Sequence, residues 1–551
     1  MTLAISPDGV NFFIDTIIDP TMLSALQTMT APDTSFCPDN YTQTGIQAGP
    51  YSYPDTTTYS NIEVQLTQGT LRNFVPVYQG YEQLSGGVFR LTYVANNVTA
   101  DYSWHETYQK TVYDPNNHKT TGPTNESATY DFTIGIGSIT VTIELTLSAT
   151  SSEYSLRVTS TSASPQNLSP NWPSDSVVVT SNSCTGTTVD NGTNQAIQSI
   201  DFNSAAAAVL DPLFGSVSTT GDLGNGISFD WEAGDTPLGF PDDAGVTIGI
   251  TGQVSYEGVG YSGQTPPSLA LASMPTDNYA HFDVADYEFN ALNWGFFSAG
   301  LLNQTIVAGD LPDPGVLNTS YYKNVFPALY QDYPNFPMYV DVTPTAAPTV
   351  VFQLIYELSQ SALDTLAAEG VPDAVITQLG YLVNTPYLSQ NQFETTVSRM
   401  IGSDSWATYG TQIEAAAESY AGVFSHQVNA VFYVASTPAA YVFTVQYDVT
   451  YIESAFVLGI SDSNQTVQFT FTIVDSETTA TLVDTAYPAN HFNFAAIWTQ
   501  FQTAYDSTMA ALGQQGVPLP YMQGFAFLLS SATVTVQQAM VSVLTNLEYD
   551  P

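Results

Sequence analysis

Between residues 139 and 147 the chain carries Ile139, Val141, Ile143, Leu145 and Leu147, apolar at every second position with small or polar residues between. Successive side chains of a strand point to opposite faces, so this alternation makes a half-buried strand, one face apolar and one wet. Shorter stretches of the same kind surround Phe89, Leu91 and Tyr93, and again Tyr154, Leu156 and Val158. Clusters of Gly, Asn, Asp and Pro separate them, as the turns of an antiparallel meander require. Residues from about 50 to 230 therefore read as one long, bent antiparallel sheet.

A different period opens the chain. Val10, Phe13, Ile14, Ile17, Ile18, Met22, Ala25, Leu26 and Met29 recur at three- and four-residue spacing, an amphipathic helix that Pro20 is expected to kink. Residues 255–280, rich in Gly, Pro and Ser, read as a linker between an N-terminal lobe, 1–254, and a C-terminal lobe, 281–551. After it, Phe289, Leu292 and Phe296 share one helical face. Alternation returns at Val445, Tyr447, Val449 and Tyr451, and at Val467, Phe469, Phe471 and Ile473. The clearest amphipathic helix of the chain follows, with Phe494, Ile497, Trp498, Phe501, Tyr505 and Leu512, and the last strands carry Phe525, Phe527, Val534 and Val536. Ile355, Leu358, Ala362 and Leu366, and later Ala415, Ala416, Tyr420 and Val423, suggest inserted helices over about 355–428. That insertion reads as decoration, a lid or a surface for a protein partner.

Composition excludes several functions. The chain has 551 residues, 44% hydrophobic and 13% aromatic, which suits roughly two to four domains with real cores. No window approaches the roughly 18 to 20 continuous apolar residues of a membrane helix. The net charge of −44 comes from missing cations, since charged residues are only 11% of the chain, against about 25% in an ordinary domain. Arg72, Arg90, Lys110, Lys119, Arg157, Lys323 and Arg399 are the whole basic complement. Seven scattered cations cannot neutralise a phosphate backbone or hold an anionic membrane, so nucleic acid is excluded and the partner is neutral, cationic or held by apolar contacts. Such a surface loses most of its charge near pH about 4, which fits an acidic or extracellular setting and equally fits compositional drift.

Cys37 and Cys184 are too few for a disulfide scaffold; they form one bridge in an oxidising compartment or stay two separate thiols. Glycosylation sequons occur at Asn40, Asn97, Asn125, Asn167, Asn191, Asn303, Asn318 and Asn464. The N-terminus lacks a basic n-region and a long apolar core, so a secreted or lumenal location requires that a signal peptide has been removed.

Three motifs in order resemble one family. Asp286-Tyr287-Glu288-Phe289-Asn290 opens a helix ending at Ala299-Gly300; Phe326, Leu329, Tyr333-Pro334-Asn335 and Tyr339-Val340-Asp341-Val342 read as helix, turn and strand; and Gly516-Val517-Pro518-Leu519-Pro520 follows the long amphipathic helix. Together they resemble the C-terminal half of the bactericidal/permeability-increasing and lipopolysaccharide-binding protein family, the tubular lipid-binding superfamily. The first half is similar only in outline, and the second long helix expected after Cys184 is not legible in residues 190–220. The resemblance implies an α+β boomerang of two barrels, each a bent antiparallel sheet wrapped on a long helix, joined by a central sheet. It also implies non-enzymatic binding, transfer or scavenging of phospholipid or another acyl lipid. Val10, Phe13, Ile14, Ile17 and Ile18 would line the first pocket; Phe289, Leu292, Phe296, Phe494, Ile497, Trp498, Phe501 and Tyr505 would line the second. The alternative is a structural or surface-recognition protein on the same fold with no bound lipid. The family's cationic capture of lipopolysaccharide is not expected of a chain this poor in Lys and Arg.

Catalytic motifs are near misses. His105-Glu106 continues as Thr-Tyr-Gln, so the HExxH zinc motif is absent, and Gly260-Tyr261-Ser262-Gly263 lacks the spacing of a nucleophile elbow. His105, His118, His281, His426 and His491 never sit at metal-ligand spacing and read as ordinary surface or core residues. Asp222, Asn225, Asp230, Glu232, Asp235, Asp242 and Asp243 offer oxygen ligands, with a solvated loop the simpler reading and no metal expected. A glycoside hydrolase would need two carboxylates across a cleft, a pairing that spacing does not reveal. No cofactor is expected.

Overall fold

The computed structural model describes residues 2–20, 30–31, 33–44, 55–84, 87–149, 153–176, scattered positions from 191 to 208, 217–218, 220–239, 245–265, 273–461, 466–513, 517–518 and 525–549. The chain forms two compact units: a smaller one of Val10–Ser148 and Tyr154–Ser216, and a larger one of Met1–Gly9, Ala149–Glu153 and Val217–Pro551. This division does not fall at 255–280. Strand β1 (Thr2–Ile5) pairs on one side with Val246–Gly249 and on the other with Ala280–Asp283, which ties the start of the chain to the larger unit. Ser255 and Tyr256 are themselves paired, with Gly260 and Val259.

The chain then turns into α1 (Pro7–Phe13), which continues as a π-helical turn over Ile14–Ile18. Val10, Ile14 and Ile18 are buried and Phe13 is half-buried; the Ile17 side chain, and residues 21–29 with the rest of the apolar stripe, lie outside the described set. The described helical residues end at Pro20, so the kink expected there falls at the edge of the described residues.

The smaller unit is a meander of very long strands: β2 (Thr34–Thr44), β3 (Thr56–Arg72), β4 (Val77–Gln83), β5 (Val88–Asp114), β6 (Lys119–Ala149) and β7 (Glu153–Asn171). Their spatial order is β3-β5-β6-β7, with β2 on β3 and β4 on β5. The alternation read from sequence is present but changes phase. On β5 the buried residues are Phe89, Leu91, Tyr93 and Ala95, then Val98, Ala100, Tyr102 and Trp104; on β6 they are Phe132, Ile134 and Ile136, then Ile139, Val141, Ile143 and Leu145. The switch falls where Asn97 faces Gly137, between the pairs Asn96–Ser138 and Val98–Ile136. Asn97 has φ 53° and Asn167 on β7 has φ 55°, the left-handed region that Asn tolerates better than most residues. A Cβ on Gly137 would come within 2.9 Å of the Asn167 Cβ. Asn97, Gly137 and Asn167 thus form a crease across three strands that hands the apolar surface from odd to even positions.

Beyond the crease, Trp104 packs edge to face on Phe132 and on Trp172, with centroids 5.2 and 6.2 Å apart, a geometry aromatic rings prefer. Beside them the fully buried Glu106 accepts hydrogen bonds from the Tyr130 hydroxyl at 3.3 Å and the Ser176 hydroxyl at 2.6 Å. The Trp104 indole N–H also donates to this carboxylate, at 3.5 Å. In the segment where no second helix was legible, the described residues Asn191, Asn194, Gln195, Gln198, Ser204, Ala207 and Ala208 are helical.

The larger unit contains two antiparallel sheets. The first runs Thr220–Gly224, β8 (Ile227–Gly239), β9 (Val246–Tyr256), β1, β10 (Ala280–Ala285), β17 (Met540–Tyr549), β16 (Phe525–Gln537). The second runs Gln304–Val307, β11 (Met338–Pro344), β13 (Glu418–Val434), β14 (Ala440–Ser461), β15 (Thr466–Thr485), Val517–Pro518, with β12 (Thr349–Tyr356) also on β13. Closed barrels were expected; among the described residues all three sheets are open, with free strands at their edges. The helix-turn-strand read at 326–342 is present: Pro327–Asp332 is helical, Asn335 takes φ 57° at the turn, and β11 follows.

Helices of the 355–428 insertion occupy a shorter span: α3 (Gln360–Ala368), α4 (Asp373–Leu379), α5 (Gln390–Ile401) and α6 (Ser403–Ala417), after α2 (Asp286–Ser298) earlier in the chain. Ile355, Tyr420 and Val423, expected on inserted helices, belong instead to β12 and β13, which pair directly from Tyr356–Glu418 to Thr349–Ser425. Ser359 and Ser389 cap α3 and α5 by accepting from the Ala362 and Gln392 amides, and Leu363, Leu366, Leu379, Phe393, Val397 and Ile413 form a core of their own.

Because a β-branched side chain is strained at positive φ, Asn97→Val is expected to lower the unfolding free energy by about 1–2 kcal/mol, whereas Asn97→Gly should leave it nearly unchanged. Chemical denaturation of the two variants checks this; equal stability of the valine variant would remove the crease as a constraint.

Candidate functional site

Helix α7 (Ala495–Gly513) has the apolar stripe that its sequence announces, and it carries the densest aromatic packing of the larger unit. Phe494, Ile497, Trp498, Phe501 and Tyr505 are all at most 7% exposed. Period two presents His426, Val428, Ala430 and Phe432 of β13 and Phe443, Val445, Tyr447 and Val449 of β14 on one buried sheet face, in the register Phe432–Phe443, Val428–Tyr447 and His426–Val449. The helix meets that face ring to ring: Trp498 lies 4.9 Å from Tyr447, Tyr505 5.1 Å from His426, Phe501 5.7 Å from Phe432 and Phe494 5.6 Å from Phe443. The structure thus brings together the five α7-side residues expected to line a pocket.

It places Phe289, Leu292 and Phe296 elsewhere. They are buried on α2, where Phe289 packs edge to face on Phe352 of β12 at 5.3 Å. The Asn290 amide is bonded both ways to Val350, donating to its carbonyl at 2.9 Å and accepting from its N–H at 2.6 Å. α2 thereby extends the hydrogen bonding of β12 and is fastened there. Val10, Phe13, Ile14 and Ile18 belong to the smaller unit.

Under α7 the polar atoms are unusual. Neither ring nitrogen of His426, nor the Trp498 indole nitrogen, nor the Tyr447 hydroxyl has a hydrogen-bond partner. His426 is 5% exposed and the other two are fully buried. Burial pushes the His426 pKa down to about 3, so the imidazole is neutral and offers one donor and one acceptor. A buried polar group with no partner costs about 1–3 kcal/mol. Three such residues on one ring cluster define a mostly apolar surface with a few unused, uncharged hydrogen-bonding groups, the composition of a small-molecule site. Sequence reading missed His426 and the state of Tyr447; their one available signal is position, on the apolar parity of β13 and β14.

A second constellation invites a catalytic reading. Ser273 Oγ lies 3.3 Å from His281 Nδ1, and His281 Nε2 lies 3.1 Å from Asp283 Oδ1, which is the outline of a nucleophile-base-acid relay. His281 Nδ1, however, is closer to the Ser273 carbonyl, at 2.8 Å. Acceptors at both nitrogens favour the imidazolium, and the pKa is raised by the Asp283 hydrogen bond first, with burial opposing. In that form the ring has no lone pair to take a hydroxyl proton. Ser542 donates to the same Asp283 oxygen, so the group ties β10 to β17 and is structural.

Other expected residues can be located. Asn97, Asn125, Asn167, Asn191 and Asn303 are exposed. Asn318 is engaged in its own turn, donating to the Asn335 carbonyl and accepting from the Ser320 amide and hydroxyl. Asn464, Cys184 and the Cys37 and Asn40 side chains lie outside the described residues. Among described residues no group of three His, Cys, Asp or Glu is arranged to hold a metal, and no helix is long and apolar enough to cross a membrane.

Searches by family model and among curated proteins give no match. Among solved structures the chain is similar to the crystal structure of lipopolysaccharide binding protein, with TM-score 0.44 and 12% identity over 100% of this chain and 99% of that one. It is also similar to P47 from Clostridium botulinum A2, with TM-score 0.22 and 7% identity over 99% of this chain and 96% of that one.

Two outcomes follow from the site. Tyr447→Phe removes a buried hydroxyl that has no protein partner, so the variant should melt no lower than wild type; a loss beyond about 1 kcal/mol would reveal a partner. For His281 the folded pKa exceeds the ordinary value, so its contribution is full below about pH 6.5 and is lost as pH rises through the raised value. The melting gap between wild type and His281→Gln should be widest in acid and narrow with rising pH; a constant gap would show a neutral ring.

Proposed function

We propose that this chain is a non-enzymatic lipid-binding protein, secreted or lumenal, that holds phospholipid or another acyl lipid against the β13–β14 face beneath α7. One observation carries the reading: a buried aromatic surface whose polar atoms, at His426, Tyr447 and Trp498, are neutral and unpartnered. Acyl chains supply the apolar contact, at about 0.8 kcal/mol per buried methylene, and ester or hydroxyl oxygens supply partners for the indole and hydroxyl donors. No cation is needed, which suits a chain with seven Lys and Arg residues. The motif resemblance read at 286–300, 326–342 and 516–520 supports the same class. Phe13, Ile14 and Ile18 on the α1 side of the smaller unit offer a second, independent acyl surface, and the protein would transfer or scavenge what it holds.

The direct contacts between α7 rings and the sheet favour a second reading, in which this face is a closed core and the protein acts in structure or surface recognition. Native mass spectrometry of the purified chain with lipid extraction separates the two. The lipid reading expects co-purifying acyl lipid that is lost on denaturation, and Trp498→Asp or Phe501→Asp should abolish retention in the larger unit while the smaller still binds. A lipid-free chain that also takes up no fluorescent phospholipid would leave the closed core.

A further inference from the structure

A separate group of unpartnered polar atoms lies in the smaller unit, and it does not depend on the α7 reading. It is built by a bulge. On β4, Tyr78 pairs with Tyr93 of β5, but the next pair is Gly80–Thr92, so Gln79 is extra. The extra residue resets the parity, and Tyr78 and Tyr81, three apart in sequence, share the face on which Tyr93, Leu91 and Phe89 are buried. The Tyr78 and Tyr93 rings lie 5.6 Å apart.

Asp15 and Asp19 lie one turn apart on the π-helical segment and its C-terminal flank, within electrostatic reach of Tyr78 and Tyr93. π-helical turns occur often at functional sites. Asp19 Oδ1, Tyr78 OH and Tyr93 OH are buried atoms with no hydrogen-bond partner, and Tyr93 is fully buried. The groups feel one another: Asp19 is shifted upward by burial and by Asp15, and both tyrosines are shifted upward by burial and by the two aspartates. No cation among the described residues answers them. Arg72 is paired with Asp101, Arg90 with Glu82 and Glu144, and Lys110 with Glu126. Asp15 is exposed and Asp19 half-buried, so solvent reaches the two aspartates while the three orphan oxygens lie beneath them, covered.

We propose that this corner binds a primary ammonium group, whose three N–H donors go to Asp19 Oδ1 and the Tyr78 and Tyr93 hydroxyls. The match is in number and sign. Three orphan acceptors, one of them anionic, face an ammonium with three donors and no acceptor, while the tyrosine rings supply cation–π attraction and Asp15 adds a second negative charge. A quaternary ammonium would leave all three oxygens unpaired. The ammonium belongs to an amine-headed lipid or to a free amine.

Calorimetry on the full chain tests this with three probes: a short-chain ethanolamine phospholipid below its micelle concentration, its choline analogue, and spermidine. The ethanolamine lipid should bind about tenfold or more tightly than the choline lipid, as expected for a charged hydrogen bond. Asp19→Asn and Tyr93→Phe should each bring that ratio close to one without lowering the melting midpoint. If the asparagine variant is unstable, the phenylalanine variant alone decides. Spermidine binding with the same sensitivity to Asp19→Asn, and no preference between lipids, would support the site with a free amine as its source. An unchanged ratio in both variants, no affinity for any amine, or calcium displacing the amine would overturn it.

Discussion

Side-chain parity on long antiparallel strands is the constraint on which the rest of this structure depends. A strand cannot choose its faces residue by residue; it inherits them in steps of two, and a single extra or left-handed residue exchanges them all. Here β5 and β6 run for 27 and 31 residues, further than one alternation can serve. The crease at Asn97, Gly137 and Asn167 lets a single hairpin present two successive apolar surfaces. The bulge at Gln79 acts on the same principle over a shorter distance, setting two tyrosines on a face where strict alternation would show one. In the larger unit, parity carries a histidine into a row of Val, Ala and Phe.

Scarcity of cations sets the second theme. In most domains a buried carboxylate is paired with Lys or Arg. This chain has 51 acidic residues and seven basic ones, so its interior uses hydroxyls and imidazole instead. Glu106 takes its bonds from Tyr130 and Ser176, and Asp283 from His281 and Ser542. Among the carboxyls and histidines, Asp19, His281, Asp286, Glu357 and Glu414 are raised and favour their protonated forms in the fold. Each contributes stability at low pH that is lost as pH rises through its folded value. His426, Asp114 and Glu144 are lowered and act with the opposite sign, while protonation of the surface relieves the repulsion of a net −44 chain.

The sequence shows these elements unevenly, for physical reasons. Large apolar residues at helical spacing made α7 legible, and Phe494, Ile497, Trp498, Phe501 and Tyr505 on its stripe are buried. The strands around Val445–Tyr451 and Phe525–Val536 were legible for the same reason. The phase switch at Asn97 was not, because nothing in the polar pair Asn96-Asn97 tells a left-handed residue within a strand from an ordinary strand end. The edges of the inserted helices were blurred since Ile355, Tyr420 and Val423 suit either period. His426 and Asp19 were missed most completely. Lacking a partner is a property of what surrounds an atom in space, and no spacing rule contains it.

The helical insertion has an effect beyond its own packing. Its ends, Tyr356 and Glu418, are register partners, so some sixty residues of chain leave and return at one rung of a ladder. To the sheet the excursion is equivalent to a hairpin turn, and to the helices the sheet is only a clamp. Loop closure grows with the logarithm of length, and the helices' core touches β12 only at its end, where Tyr356 stacks on Phe393 and Leu354 packs beside it, so lengthening the helices away from that end need not disturb β12 or β13. At that rung the chain is modular, able to exchange one surface for another while the face beneath α7 stays as it is.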